Sequence, residues 1–234
     1  MTALAQRVAI VTGGAGALGG AVTSRLLGDG AAVCVPLEVA GDGDRLRTRV
    51  AAATGERVMT SVVDVTDLGA MTGFVDSVVA RHGHVDILVT LVGGFAGGAL
   101  VETDQTTWER MLAMNLTSTF VATRAVIPHM VKAGHGRVVT IASRAVIPPT
   151  GGFIAYTTAK AGIIALTEAL AHEMRGHGVT VNCVLPSTMD TPANRAAMPD
   201  SDRQGWVPVD SVADVIAFLV RDEAAHVTGA LLTV

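Results

Sequence analysis

Aromatic side chains are scarce in this chain: phenylalanine, tryptophan and tyrosine make up 3% of 234 residues, with a single tyrosine. Charge is also sparse, at 16%, and the formal net charge of −4 offers no cationic surface to a nucleic acid. The two cysteines, Cys34 and Cys183, each lie inside an apolar run of strand type. They read as small buried hydrophobes, which excludes a disulfide framework and fits a reducing, cytoplasmic compartment. Long apolar runs are missing as well. Residues 8–24 are uncharged but broken by five glycines, and residues 85–101 contain Asp86 and four glycines. Neither matches the unbroken run of about 20 residues that spans a bilayer, and the first lacks a signal-peptide cleavage pattern, so no membrane association is expected.

Half of the residues are hydrophobic, enough to bury a sizeable core, and the length suits one domain over residues 1–234. Apolar strand-type runs alternate with helical patterns along the chain. Strands are expected at 7–11, 31–36, 57–63, 85–91, 137–141, 179–185 and 230–234. Helices are expected from about 17 to 28, then at 43–53, 68–82, 106–131, 153–177 and 209–220. The long helix at 106–131 is entered through Thr103 and Asp104 as capping residues. The strands are continuous apolar runs rather than alternating ones, as a parallel sheet covered on both faces requires. The expected fold is α/β: a Rossmann-type doubly wound parallel sheet of about seven strands with helices on both faces. Such a sheet binds its ligand at the C-terminal ends of the strands.

The residues that follow each strand should therefore line a site. After the first comes Thr12-Gly13-Gly14-Ala15-Gly16-Ala17-Leu18-Gly19. A glycine-rich turn opening a helix leaves backbone N–H groups free where the helix dipole favours a pyrophosphate. Gly14, Gly16 and Gly19 fit G-x-G-x-x-G, a pattern that gains weight from standing directly after an N-terminal strand. After the second strand comes Glu38. An acid there can accept hydrogen bonds from an adenosine ribose and repel a 2′-phosphate, and no arginine follows immediately, so NAD fits better than NADP. Glu38 is equally readable as an ordinary surface acid. Asp64 and Val65 follow the third strand, as an adenine-edge contact or a helix cap. Residues 92–98 read as a flexible loop beside the ligand, and Ser143 follows the fifth strand.

Tyr156 and Lys160, one of only two lysines, stand four apart within the helical pattern at 153–177. Residues i and i+4 share a helix face, so phenol and ammonium point into one volume. A nearby cation favours the ionised phenol, which makes the pair a proton donor and acceptor. Together with Ser143 at the same end of the sheet, they suffice for carbonyl–alcohol chemistry.

With these pieces in order, the sequence resembles the short-chain dehydrogenase/reductase family over essentially its whole length. The resemblance rests on residues 12–19, Asp64-Val65, Asn115 in Met114-Asn115-Leu116, Ser143, Tyr156 with Lys160, Asn182 with Pro186 and Thr191, and Thr228-Gly229. It implies Tyr156 as general acid/base and Ser143 polarising the substrate oxygen. It also implies that Lys160 binds the nicotinamide ribose and that Asn115 holds a water in a proton relay behind it. Cofactor contacts implied are Gly13, Gly16, Leu18, Gly19, Glu38, Asp64, Val65, Gly93, Tyr156, Lys160, Met189 and Thr191. The cofactor is NAD, with NADP not excluded, and the substrate is a small carbonyl or alcohol. A homodimer or homotetramer follows, with the 106–131 and Tyr156 helices at the interface. Departures fall on the cofactor side. The middle glycine of the family's Thr-Gly-x-x-x-Gly-x-Gly is Ala17, its Asn-Asn-Ala-Gly is Thr90-Leu91-Val92-Gly93, and its Pro-Gly is Pro186-Ser187. The stretch from Asp190 to Trp206 also resembles the corresponding part of dihydropteridine reductases. Phe95, Phe153, Met189 and Trp206 are candidates for an apolar pocket wall.

Two rival readings exist. A catalytically inactive dinucleotide-binding sensor shares the fold but leaves Ser143, Tyr156 and Lys160 without a reason to stand together. A metal hydrolase using His82/His84 or His172/His177 lacks a carboxylate-bearing ligand motif, and no metal site is expected.

Overall fold

The computed structural model describes residues 2–50 and 57–234. Seven parallel strands form one sheet: β1 (Val8–Thr12), β2 (Ala32–Leu37), β3 (Val58–Val62), β4 (Ile87–Thr90), β5 (Gly136–Ile141), β6 (Val179–Leu185) and β9 (Leu231–Thr233). Their spatial order is β3-β2-β1-β4-β5-β6-β9. The chain winds outward from β1 to β3, then returns past β1 to build the other half from β4. The reversal opens a crevice at the C-terminal ends of β1 and β4, where an α/β sheet takes its ligand.

Both faces of the sheet are covered. Ala9, Val11, Val33, Val35, Val89 and Val139 pack on one side with Val22 and Leu26 of α1 (Ala17–Gly28) and Ile216 of α8 (Val209–Leu219). Val8, Ile10, Leu88, Val138 and Val181 point to the other, against Met71 and Phe74 of α3 (Leu68–His82) and Val126 and Met130 of α5 (Ser118–Ala133). Each fully buried side chain of this size contributes roughly 1.5–3 kcal/mol. The continuous apolar runs exist because successive side chains enter two different cores.

Local signals set the helix ends. Asp67 caps α3 by accepting from the Ala70 N–H at 2.6 Å, and Gly83 closes it with a φ of 86°. Asp104, not Thr103, caps α4 (Gln105–Met111), accepting from Thr107 N–H at 2.7 Å; such a cap stabilises by about 1 kcal/mol. The expected single helix at 106–131 runs on helical backbone throughout, with its hydrogen bonding widened midway. A π-helical turn, Leu112–Thr117, separates α4 from α5. A widened turn of this kind is rare and recurs at functional positions, and here it carries Asn115. α2 (Gly41–Arg49) begins two residues earlier than expected, and positions 51–53 of that expectation lie outside the described residues. α6 (Ile154–Glu173) is shorter than the periodicity at 153–177 implies. Beyond β6 the chain forms elements the sequence did not announce: β7 (Met189–Asp190), α7 (Pro192–Ala197) and β8 (Val207–Pro208), the two short strands pairing in parallel. Among the described residues no helix is long and apolar enough to cross a membrane.

Candidate active site

The crevice at the β1/β4 switch holds a cavity of about 820 Å³, lined among others by Gly13, Gly16, Glu38, Asp64, Val65 and Gly93. Its floor is a turn that only glycine permits. Gly13 has a φ of +69°, and a Cβ there would stand 2.9 Å from the Val92 nitrogen. A Cβ on Gly19 would lie 2.0 Å from the Gly13 carbonyl oxygen, so the first turn of α1 rests directly on the glycine turn. Gly16 is the N-cap of α1 and no side chain caps it. The helix therefore presents uncapped N–H groups at its positive end, which fits a pyrophosphate. Leu18 is buried in the core and has only its backbone to offer. Asp64 accepts from both the backbone N–H and the hydroxyl of Thr66, at 2.8 and 2.6 Å, and these bonds hold its carboxyl below the usual range.

The cavity wall continues toward α6 through Gly93. A Cβ on Gly93 would meet Asn115 Oδ1 at 2.6 Å and Lys160 Nζ at 3.3 Å, so any larger residue would force these groups apart. Asn115, fully buried in the π-helical turn, accepts from Gly94 N–H at 3.3 Å. Its Nδ2 donates to the carbonyls of Gly94 and Met111 at 3.2 and 3.0 Å. The expected flexible loop is thus anchored. Its far end is pinned too, Gly98 N–H donating to Gly152 at 2.7 Å and Ile154 N–H to Gly98 at 3.3 Å.

Tyr156 and Lys160 sit one turn apart on α6 and face the same way, the ammonium 6.0 Å from the phenol ring centre. The Ser143 hydroxyl lies beside the phenol and favours its ionised form, and Ser143 Oγ accepts from Ala145 N–H at 3.2 Å. Lys160 is 4% exposed, and its ammonium donates to the Ile141 carbonyl at the end of β5, 3.1 Å away. Burial pulls its pKa down to about 8, with the Cys183 thiol nearby opposing the shift. The sequence-based expectation that Lys160 draws the phenol down does not hold in the ligand-free protein. Burial pushes Tyr156 up, and the neighbouring Ser143 hydroxyl, not Lys160, is what opposes the rise.

Comparison with known proteins accords with this geometry. The family model for short chain dehydrogenases matches residues 7–202. The chain is 35% identical to the (2S)-[(R)-hydroxy(phenyl)methyl]succinyl-CoA dehydrogenase subunit BbsD of Thauera aromatica, covering 98% of this chain and 95% of that protein. It is 33% identical to the 3-oxoacyl-[acyl-carrier-protein] reductase FabG of Escherichia coli, over 97% and 95% of the two chains. The chain belongs to the short-chain dehydrogenase family. A solved structure of a Burkholderia xenovorans short-chain dehydrogenase/reductase superposes with a TM-score of 0.91 at 32% identity, covering 100% of this chain and 96% of that one. ElxO with NADP bound shares the fold, at a TM-score of 0.91 and 24% identity over 97% and 96% of the chains. Short-chain dehydrogenases are oxidoreductases that transfer hydride between a nicotinamide cofactor, NAD or NADP, and a small-molecule substrate.

The fold brings several of the sequence-predicted residues together: Gly93 adjoins Asn115 and Lys160, and Tyr156 stands one turn from Lys160 with Ser143 beside its phenol. Thr191 is N-cap of α7, accepting from Asn194 N–H at 3.1 Å, and the Met189 carbonyl accepts from Asn194 Nδ2 at 2.8 Å. These contacts fix the segment after β6, although neither residue lines the cavity. The expected apolar wall divides. Phe95 and Phe153 pack on Tyr156, whereas Met189 packs against the core and Trp206 pairs with the Arg203 guanidinium at 5.7 Å. Two arginines were missed. Arg45 and Arg49 of α2 line the same cavity as Glu38, with Arg45 paired to Asp42 and Arg49 hydrogen-bonded to the Gly16 carbonyl. No arginine follows β2 directly, but the fold brings two from the next helix. Their i, i+4 spacing on α2 was the available signal.

Proposed function

We propose that this chain is a single-domain, NAD(P)-dependent oxidoreductase of a carbonyl/alcohol pair, with Tyr156 as general acid/base. The placement of Tyr156 one turn from Lys160 on α6, with Ser143 beside the phenol, carries the reading, because it sets two hydroxyls where one substrate oxygen can meet both. When bound, the nicotinamide ring supplies or accepts the hydride. Ser143 donates a hydrogen bond to the substrate oxygen and polarises the C–O bond. Tyr156 delivers its proton to that oxygen as the carbonyl carbon gains the hydride pair, giving the alcohol; the reverse direction returns both. With its pKa raised, Tyr156 is protonated at neutral pH, which favours the reductive direction in the form that first meets substrate. Lys160 holds the cofactor ribose and stabilises the phenolate once its proton has left, and Asn115 fixes the Gly93–Gly94 backbone beside it.

At the adenosine end, Glu38 favours NAD, while Arg45 and Arg49 supply positive charge that accommodates NADP. The relatives' names span thioester and cyclic-alcohol chemistry, so they do not converge on one substrate. Two or four copies assemble through α4, α5 and α6; Phe120, 50% exposed on α5, suits such a contact. The test is turnover of NADH and NADPH against a carbonyl panel that includes quinonoid dihydropterin, for the wild type and Tyr156→Phe. Turnover lost in the variant with cofactor binding kept supports the assignment. Turnover kept in Tyr156→Phe overturns it, and cofactor binding with no turnover by the wild type favours the sensor reading.

A further inference from the structure

Phe95 is out of place by the usual rule for large apolar side chains. It is 64% exposed in a chain with few aromatic residues, on a segment whose two ends are tied to the body of the protein. Gly94 is bound to Asn115 on one side of it, and Gly98 to Gly152 and Ile154 on the other. The three residues between these anchors have little freedom to turn the ring inward or away. What holds the ring is Tyr156: their centroids are 5.0 Å apart at an interplanar angle of 68°, an edge-to-face contact. Phe153 completes the cluster, 5.6 Å from Phe95 and 6.3 Å from Tyr156. The reacting phenol thus has a hydroxyl, Ser143, at its polar tip and an aromatic wall along its apolar body. One part of that wall still faces solvent.

We propose that the exposed ring of Phe95 is the substrate-recognition surface of this site, and that the site takes ketones or secondary alcohols bearing an aromatic or cyclic apolar group beside the C–O carbon. The inference rests on the hydride-transfer reading above. A substrate oxygen held by Tyr156 and Ser143 leaves its carbon substituents next to the three rings. A flat apolar substituent covers Phe95 and gains an aromatic contact, whereas a carboxylate in that place is desolvated against hydrocarbon.

The test compares acetophenone with pyruvate, each with NADH and NADPH, in the wild type, Phe95→Ala and Phe95→Tyr. The reaction followed is acetophenone plus reduced cofactor plus a proton giving 1-phenylethanol plus oxidised cofactor. Wild-type kcat/KM is expected to favour acetophenone. In Phe95→Ala the KM for acetophenone is expected to rise about tenfold, the size of one aromatic contact, with kcat changing far less, and Phe95→Tyr should restore it. A wild type that prefers pyruvate overturns the proposal. So does an alanine variant that loses both ketones in equal proportion, because the ring would then only hold the loop. A second readout, saturation transfer from the oxidised-cofactor complex to acetophenone, separates the two readings. Transfer seen in the wild type and absent in Phe95→Ala, with no turnover of either ketone, upholds ring recognition and removes hydride transfer. Absence of transfer in the wild type overturns ring recognition whatever the kinetics.

Discussion

The two ends of the sheet each bury a cation, and they treat it in opposite ways. At the N-terminal end Arg137 of β5 is 4% exposed. It donates to the carbonyls of Gly136 and Gly178 at 2.9 and 3.3 Å and to Asp222 at 3.4 Å. Around it Arg7 pairs with Asp86 and Asp222, both at 3.1 Å, while Asp86 also accepts from Val8 N–H at 2.8 Å. At the C-terminal end Lys160 is equally buried, yet among the described residues its ammonium has one hydrogen-bond partner, the Ile141 carbonyl. A buried charge matched by carboxylates is part of the scaffold. One matched by a single carbonyl is kept at a cost, which fits the cofactor contact proposed for Lys160. The same contrast separates the loops. Those at the N-terminal end close charge against charge, while those at the C-terminal end are built of glycines whose missing side chains leave the cavity open.

Four experiments bear on this contrast, in falling order of effect. Tyr156→Phe removes the phenolic hydroxyl from the ligand end; on the proposed role, turnover is expected to fall by about a thousandfold with cofactor affinity within about twofold, by steady-state kinetics and titration. Asp86→Ala strips a carboxylate from the scaffold end. Unfolding in urea should show a loss of about 3 kcal/mol, with kcat of the folded protein unchanged. Lys160→Met goes the other way. It should abolish turnover yet stabilise the ligand-free protein by about 1–3 kcal/mol, since it removes a charge whose pKa burial has lowered from 10.5 to about 8.

The sign of that last effect follows from proton counting. Between about pH 8 and 10.5 the unfolded chain holds a proton on Lys160 that the folded chain has released. Wild-type stability therefore rises with pH across that window, and its deficit against Lys160→Met narrows. The smallest effect belongs to the other end. Burial, helped by Arg7 and Arg137, depresses His135 below its ordinary 6.5. The stability it contributes is complete above pH 6.5 and is lost as pH falls through the depressed value. Acid melting curves of His135→Gln should be flatter than those of the wild type.

Much of this was legible in the sequence. The strands stood out because a doubly covered parallel sheet demands unbroken apolar runs. The turn at residues 12–19 and the Tyr156/Lys160 spacing announced the crevice, because glycine and i, i+4 periodicity act locally. What stayed hidden depends on long-range placement. The π-helical turn within 106–131 carries Asn115, whose bond crosses to Gly94, twenty-one positions away. Arg49 reaches the Gly16 carbonyl only once α2 has folded back beside α1. The phenol's upward shift is a matter of desolvation, which no spacing reveals. Phe95 is one exposed ring among several in the list of residues, and its meaning comes from standing 5.0 Å from Tyr156.

The buried ammonium of Lys160, with one carbonyl as its hydrogen-bond partner among the described residues, is the group proposed to mark the nicotinamide-cofactor site. Calorimetric titration of the wild type and Lys160→Met with NADH and NADPH addresses it directly. Saturable binding of at least one cofactor at one per chain, weakened tenfold or more in Lys160→Met, is the expected result. Binding of neither cofactor to the wild type, or equal binding by the variant, would contradict it.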